Sequence, residues 1–222
     1  MPSAPIPEED HNVTEQTDRP KRRQARGERR IAEVLEAAGA VFAESGYSAA
    51  TTNAIAARAG ISPGSLYQYF PNKDAIADAL AEAYLAGLGD AYDQWLDPQV
   101  AALPLSDLLD RVVDPLVEYN VSHPACMVLF LGPDVPQRYT EAHRPLQLAM
   151  VTRFETLMAR LAPDTTPADL HRAAAIALYV FTGVLPLVLA AEGSERDALV
   201  IELKKVLHGY LGAKAGPTAL SG

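Results

Sequence analysis

Apolar positions along this chain recur at helical spacing almost throughout. Ile31, Val34, Leu35, Ala38, Val41 and Phe42 line one face of a segment that closes at Gly46, where a left-handed cap belongs, so a first helix is predicted over about 26–45. Thr51 or Thr52 then supplies an N-cap for a helix of about two turns that carries Ile55 and Ala59 on one side and ends at Gly60. Ser62 is placed to cap the amide of Ser65, Pro63 suits a first helical position, and Ile61 can staple onto Leu66; Pro71 is expected to end this third helix. Asn72 caps a long helix beginning at Lys73, with Ile76, Leu80, Ala83, Tyr84 and Leu88 on its apolar stripe and an end near Asp93. Further helical patterns cover 105–122, 124–131, 144–161, 167–191 and 194–211, with a kink expected at Pro115 and a loop or broken turn over 132–143. No alternating Val/Ile/Thr run bounded by turns competes with them, so the fold class expected is all-α.

Composition adds that a substantial core is available, because 49% of the 222 residues are apolar. The segment 173–191 is long and apolar enough to resemble a membrane span. Gly183 and Pro186 interrupt it and no basic cluster flanks it, so a helix buried on all sides is expected, with no membrane partner. Residues 1–18 hold several prolines and no signal-like apolar run, which predicts a disordered tail and a cytoplasmic protein. One cysteine, Cys126, excludes an internal disulfide.

The net charge of −9 conceals a segregation. Residues 1–18 contain five acids and no base, residues 19–30, "RPKRRQARGERR", seven bases and one acid, and the remainder a surplus of ten acids. A concentrated basic arm on an acidic protein points to a polyanion met at one end, with Arg26 as a phosphate contact.

The stretch "TTNAIAARAGISPGSLYQYFPNKDAI" gives that polyanion a form. Two short helices joined by a glycine-containing turn, behind a longer helix, make a helix-turn-helix. On the wheel of the third helix Leu66 and Phe70 face inward, whereas Gly64, Ser65 and Gln68 face outward with Tyr67 and Tyr69 at the rims. Such a face suits a major groove. Gly64 permits close approach, Gln68 can offer a bidentate amide to adenine, Ser65 can read several base edges and Pro63 can touch a thymine methyl. The tyrosine hydroxyls are within reach of phosphates, although the rim position of Tyr69 serves equally for packing against the next helix. Lys73 stands at a helix N-terminus, where the macrodipole prefers an anion; a phosphate bound there would use both its ammonium and the free amides.

The order of a first helix, then "TTNAIAARAGIS", then "GSLYQYFPNKDAI" resembles the DNA-binding domain of the TetR family of bacterial regulators, closely over about residues 27–80. That resemblance implies phosphate contacts from Thr51, Thr52, Tyr67 and Lys73 and base contacts from Ser62, Pro63, Gly64, Ser65 and Gln68. It further implies a helical C-terminal domain that dimerises and binds a small effector, usually relieving repression. The domain boundaries expected are a tail with basic arm over 1–25, a helix-turn-helix domain over 26–72, an effector-binding and dimerisation domain over 73–211 and a flexible tail over 212–222.

Within the C-terminal domain an effector pocket is expected among the middle helices. Met127, Phe130, Met150, Phe154 and Tyr179 would offer adaptable or aromatic surface, and His123, Arg138, Tyr139 and His143 polar anchors. The last two helices are the expected dimer interface, through Ala177, Leu199, Leu203, Val206 and Tyr210, as halves of an intermolecular four-helix bundle. His123, Cys126 and His143 lack the paired spacing of a zinc site, so no metal and no cofactor is expected, and Cys126 lies in an apolar run that predicts an inert thiol. An all-α enzyme, or a ligand-binding protein, that merely contains a helix-turn-helix-like corner is the alternative; no nucleophile–base pair or paired carboxylates support catalysis.

Overall fold

A computed structural model describes residues 18–96, 103–132 and 135–214. Among them the regular structure is entirely helical: α1 (Asp18–Ala49), α2 (Thr52–Arg58), α3 (Pro63–Leu66), α4 (Lys73–Trp95), α5 (Leu105–Ser122), α6 (Pro124–Leu131), α7 (Gln137–Leu161), α8 (Pro167–Ala190) and α9 (Gly193–Gly212). The expected all-α class is what forms.

Three boundaries differ from expectation. The first helix starts at Asp18 rather than near Arg26, so residues 18–25 are helix and not tail. Good helix formers and the i,i+4 hydrogen bond from Gln24 to Glu28 (3.0 Å) support that extension. Helix α7 starts at Gln137, so residues 137–143 are helical instead of a loop. Pro136 takes the N-cap position, Gln137 bonds Glu141 at 2.8 Å, and the helix continues through Pro145. The recognition segment is α-helical only over Pro63–Leu66; Tyr67–Tyr69 form a tighter turn, with Gln68 N–H donating to Ser65 O at 3.3 Å and Tyr69 N–H to Leu66 O at 3.0 Å. Helix α5 runs through Pro115 without interruption. The acidic tail over 1–17 and the C-terminal residues 215–222 lie outside the described residues.

The N-terminal module packs α2 and α4 on α1 around Val34, Phe42, Ile55, Leu66 and Ile76, each fully buried. Gly46 (φ 77, ψ 168) breaks the helical backbone of α1 in a region that is essentially glycine's own, and Gly60 (φ 65) makes the turn between α2 and α3. In the C-terminal module α5, α7, α8 and α9 form a bundle, while α6 lies across α1. A Cβ added at Gly39 of α1 would stand 3.7 Å from the Ala125 methyl of α6, so small residues set that close crossing. The core is continuous between modules, and α4 runs through both.

Helix α8 is, among the described residues, the helix long and apolar enough to cross a membrane. Its face bearing Leu170, Ala173, Ala177, Phe181, Leu185 and Val188 is buried in the bundle. Ile176, Tyr179 and Leu187 on the opposite face are exposed, which corrects the expectation of a helix buried all round.

Candidate nucleic-acid interface

Local rules position the recognition surface. Thr51 caps α2 by accepting from the Ala54 amide (3.1 Å) and Ser62 caps α3 by accepting from the Ser65 amide (3.1 Å), with Pro63 at the first helical position. Leu66 and Phe70 are buried as expected; Ser62, Pro63, Gly64 and Gln68 are exposed, Ser65 partly so. Thr52 Oγ1 lies 3.2 Å from the Tyr67 hydroxyl, which joins α2 to the recognition segment and groups two expected phosphate contacts at one rim. Tyr67 and Tyr69 both project outward.

At the other rim the basic helix comes into play. Arg26, Arg29 and Arg30 of α1 line an open cleft with Gln68 and Tyr69. Arg26 is the phosphate contact expected from the basic run, and Arg29 and Arg30 line the same cleft. Arg30 also pairs with Glu33 at 2.7 Å, and Arg58 pairs with Glu44 at 2.7 Å, fixing α2 on α1.

Lys73 has a different setting from the one expected. Its Nζ donates to the carbonyls of Tyr47 (2.8 Å) and Ser48 (3.3 Å) and lies 4.6 Å from the centre of the Tyr47 ring. A cation at the disfavoured end of α4 is therefore a cation at the favoured C-terminal end of α1. The same corner joins the modules. Tyr47 donates its hydroxyl to Asp74, its ring meets Tyr139 of α7 edge-on at 5.9 Å, and Arg138 bonds the Tyr139 hydroxyl at 2.8 Å and pairs with Asp78 at 3.2 Å.

Tyr139, expected in the effector pocket, is thus buried at this junction instead. Two adjoining cavities do open in the C-terminal bundle. The first, of about 40 Å³, is walled by Met150 and Phe154 of α7 with Leu109, Val112, Phe181 and Leu211. The second, of about 30 Å³, is walled by Met127 and Phe130 of α6 and carries polar groups at Asn120, His143 and Gln147. His123 lines neither cavity: its ring stacks on Tyr119 at 4.2 Å while Nδ1 lies 2.7 Å from the Tyr119 carbonyl. Tyr179 lines neither and is 76% exposed. The sequence missed Asn120 and Gln147, which carry no spacing signal; only the packing of α5 and α7 on α8 brings them to one space.

Burial holds the Cys126 thiol well above its ordinary range, so it is not poised as a thiolate, and it pushes the Tyr119 hydroxyl up to about 12. Burial also lowers the pKa of His143 by disfavouring its cation.

The expected dimer contacts divide. Ala177 faces the first cavity and Leu203 is 2% exposed within the protomer, so neither is available to a partner. Val206 is exposed, with Leu199 and Tyr210 half-buried beside it. Ile176, Tyr179 and Leu187 on α8 are likewise exposed apolar side chains.

Two family models match the sequence. Residues 34–80 match "Bacterial regulatory proteins, tetR family", and residues 103–215, half of the chain, match "Tetracyclin repressor-like, C-terminal domain". The chain belongs to the TetR family. As a member it is a DNA-binding transcriptional regulator. Among curated relatives, the HTH-type transcriptional repressor KstR2 of Mycobacterium tuberculosis is 43% identical over 68 residues, 31% of this chain and 34% of that protein. The curated relatives that match are covered over 31% to 49% of their own length. Among solved structures, a TetR-like transcriptional regulator from Rhodococcus sp. RHA1 aligns with a TM-score of 0.66 and 23% identity, over 82% of this chain and 96% of that one. The SmeT–triclosan complex aligns with a TM-score of 0.65 and 20% identity, over 86% and 94%. These likenesses establish a shared fold across both modules of this TetR-family chain.

Proposed function

We propose that this TetR-family regulator is a cytoplasmic homodimeric repressor that reads a two-fold symmetric operator through paired α3 segments and leaves it when a small molecule enters the C-terminal bundle. The observation that carries the reading is the recognition surface. Gly64, Ser65 and Gln68 face outward between two rims of phosphate-binding character, Thr52 with Tyr67 on one side and Arg26, Arg29 and Arg30 on the other. The repressor named KstR2 supports the sense of regulation, and SmeT, solved with triclosan, supports small-molecule entry. The exposed apolar face of α8 and α9 supports a homodimer, since a face of this kind calls for a partner helix pair.

Two contacts offer routes from the cavities to the DNA surface. Helix α6 carries Met127 and Phe130 on the second cavity and Ala125 against α1. The start of α7 carries Arg138 and Tyr139 against Tyr47 and Asp78. Lys73 acts in this reading as a positioning residue that fixes the α1–α4 corner.

The test begins by selecting operator sequences from random duplexes and footprinting the winner. Half-sites one helical turn, or a multiple, apart are expected, and an isolated half-site refutes the dimer. Gln68→Ala should then relax preference at particular base pairs and leave the salt dependence unchanged; a uniform loss on every sequence contradicts base reading. Effector and operator must weaken each other by the same factor, which parallel titrations measure.

A further inference from the structure

The arginine cleft beside the recognition segment holds more positive charge than the residues around it balance. Arg26, Arg29 and Arg30 line this open space of about 580 Å³ together with Glu33, Gln68 and Tyr69. Glu33 pairs with Arg30 at 2.7 Å, whereas among the described residues no carboxylate pairs with Arg26 or Arg29. Both of those side chains are exposed. Two guanidinium groups at one open site make a place for an anion.

The chain that precedes α1 carries the complementary charge. Residues 1–17, which lie outside the described residues, contain Glu8, Glu9, Asp10 and Glu15 and no Lys or Arg. The sign of the charge reverses at Asp18, where α1 begins, so the acids are tethered to a helix that presents the opposite charge. Reach is sufficient. At 1.5 Å per residue α1 carries Arg26 about 12 Å and Arg30 about 18 Å from Asp18. The eight positions from Asp10 to Asp18 span roughly 26 Å when extended, which leaves length for a reversal before Glu8, Glu9 and Asp10 meet the cleft. A segment folded back along α1 also passes Arg19, Lys21, Arg22 and Arg23 in the sequence. A single exposed ion pair contributes little, but tethering holds these acids at an effective concentration of about millimolar. Several pairs formed together then compete with DNA by about tenfold without abolishing its binding.

We propose that the acidic segment 1–17 occupies the arginine cleft of its own protomer in the absence of DNA, standing in for phosphate, and that a duplex binds by displacing it. The inference takes from the reading above only that this cleft meets DNA. Where carboxylates already neutralise part of the cleft, DNA releases fewer counterions, so the segment lowers affinity and flattens its salt dependence together.

The quadruple variant Glu8→Gln, Glu9→Gln, Asp10→Asn, Glu15→Gln removes the charge and keeps the length of the chain. Its affinity for a random-sequence duplex in about 50 mM salt should exceed that of the parent by about tenfold, and its salt slope should steepen by about two units, one each for Arg26 and Arg29. Unchanged affinity and slope overturn the proposal. Repulsion between the segment and DNA would also raise affinity, but by an equal factor in the background Arg26→Gln, Arg29→Gln. Docking requires the factor to fall below about threefold there, and equal factors in the two backgrounds overturn it. A measurement without DNA completes the test: the Nε–H NMR signals of Arg26 and Arg29 in the full chain should shift when the four acids are neutralised, and unmoved signals overturn the contact. If those signals move while no variant binds any duplex, the contact stands and the DNA-facing reading of the cleft fails.

Discussion

Lys73 illustrates how one side chain acquires a role from a neighbour that is distant in sequence. Its ammonium closes the carbonyls of Tyr47 and Ser48, 26 and 25 positions earlier. Lys73→Met removes two charge-assisted hydrogen bonds, and after discounting for partial exposure the loss is about 1 kcal/mol, read as a lower urea midpoint. The salt slope of operator affinity should stay unchanged, whereas a phosphate contact would lower it by about one unit. His143 gives a second residue-scale expectation. Burial depresses its folded-state pKa below the ordinary 6.5, so the unfolded chain takes up the proton first as the pH falls. The stability linked to it is complete above that value and is lost as the pH drops through the folded pKa. Thermal midpoints measured from about pH 8 down to 5 should therefore fall more steeply for the parent chain than for His143→Phe.

Elements report how much of the fold was legible locally. The caps at Thr51, Ser62 and Asn72 and the stop at Gly60 are short-range rules, and each forms where the sequence placed it. Gly46 was legible as a helix end, and the structure adds that its backbone (φ 77, ψ 168) lies where a Cβ is strained. Gly46→Ala should cost about 1–3 kcal/mol, with the urea midpoint lowered and the m-value retained. The helix start at Asp18 was not legible because the charged run before Arg26 reads as a tail, and that at Gln137 because Pro136 and Pro145 read as loop signals although Tyr139 finds a surface to pack on. The helical wheel placed Gln68 outward, as found, but not the tighter turn after Leu66, which a fixed 100° per residue does not register.

The whole molecule is where burial on one side of an element separates from exposure on the other. Ala177 and Leu203 share helices with Tyr179 and Val206, yet the first two are enclosed and the second two face solvent. Replacing Tyr179 and Leu187 by Asp places charges on the open face without touching the bundle's interior. The double variant should sediment as a monomer and lose operator affinity by about two orders of magnitude, since each half-site then binds alone. Retention of the dimer would move the interface elsewhere. The sequence by itself determined the helical class, the helix-turn-helix and which of its residues are turned outward, because caps, turns and amphipathic spacing act within a few residues of one another. Tertiary structure alone decided that Lys73 serves the α1–α4 corner, that Tyr139 joins the modules, and that Asn120, His143 and Gln147 share a cavity. Those groups meet through packing between segments as many as 92 positions apart, and no local pattern encodes a contact made at that range.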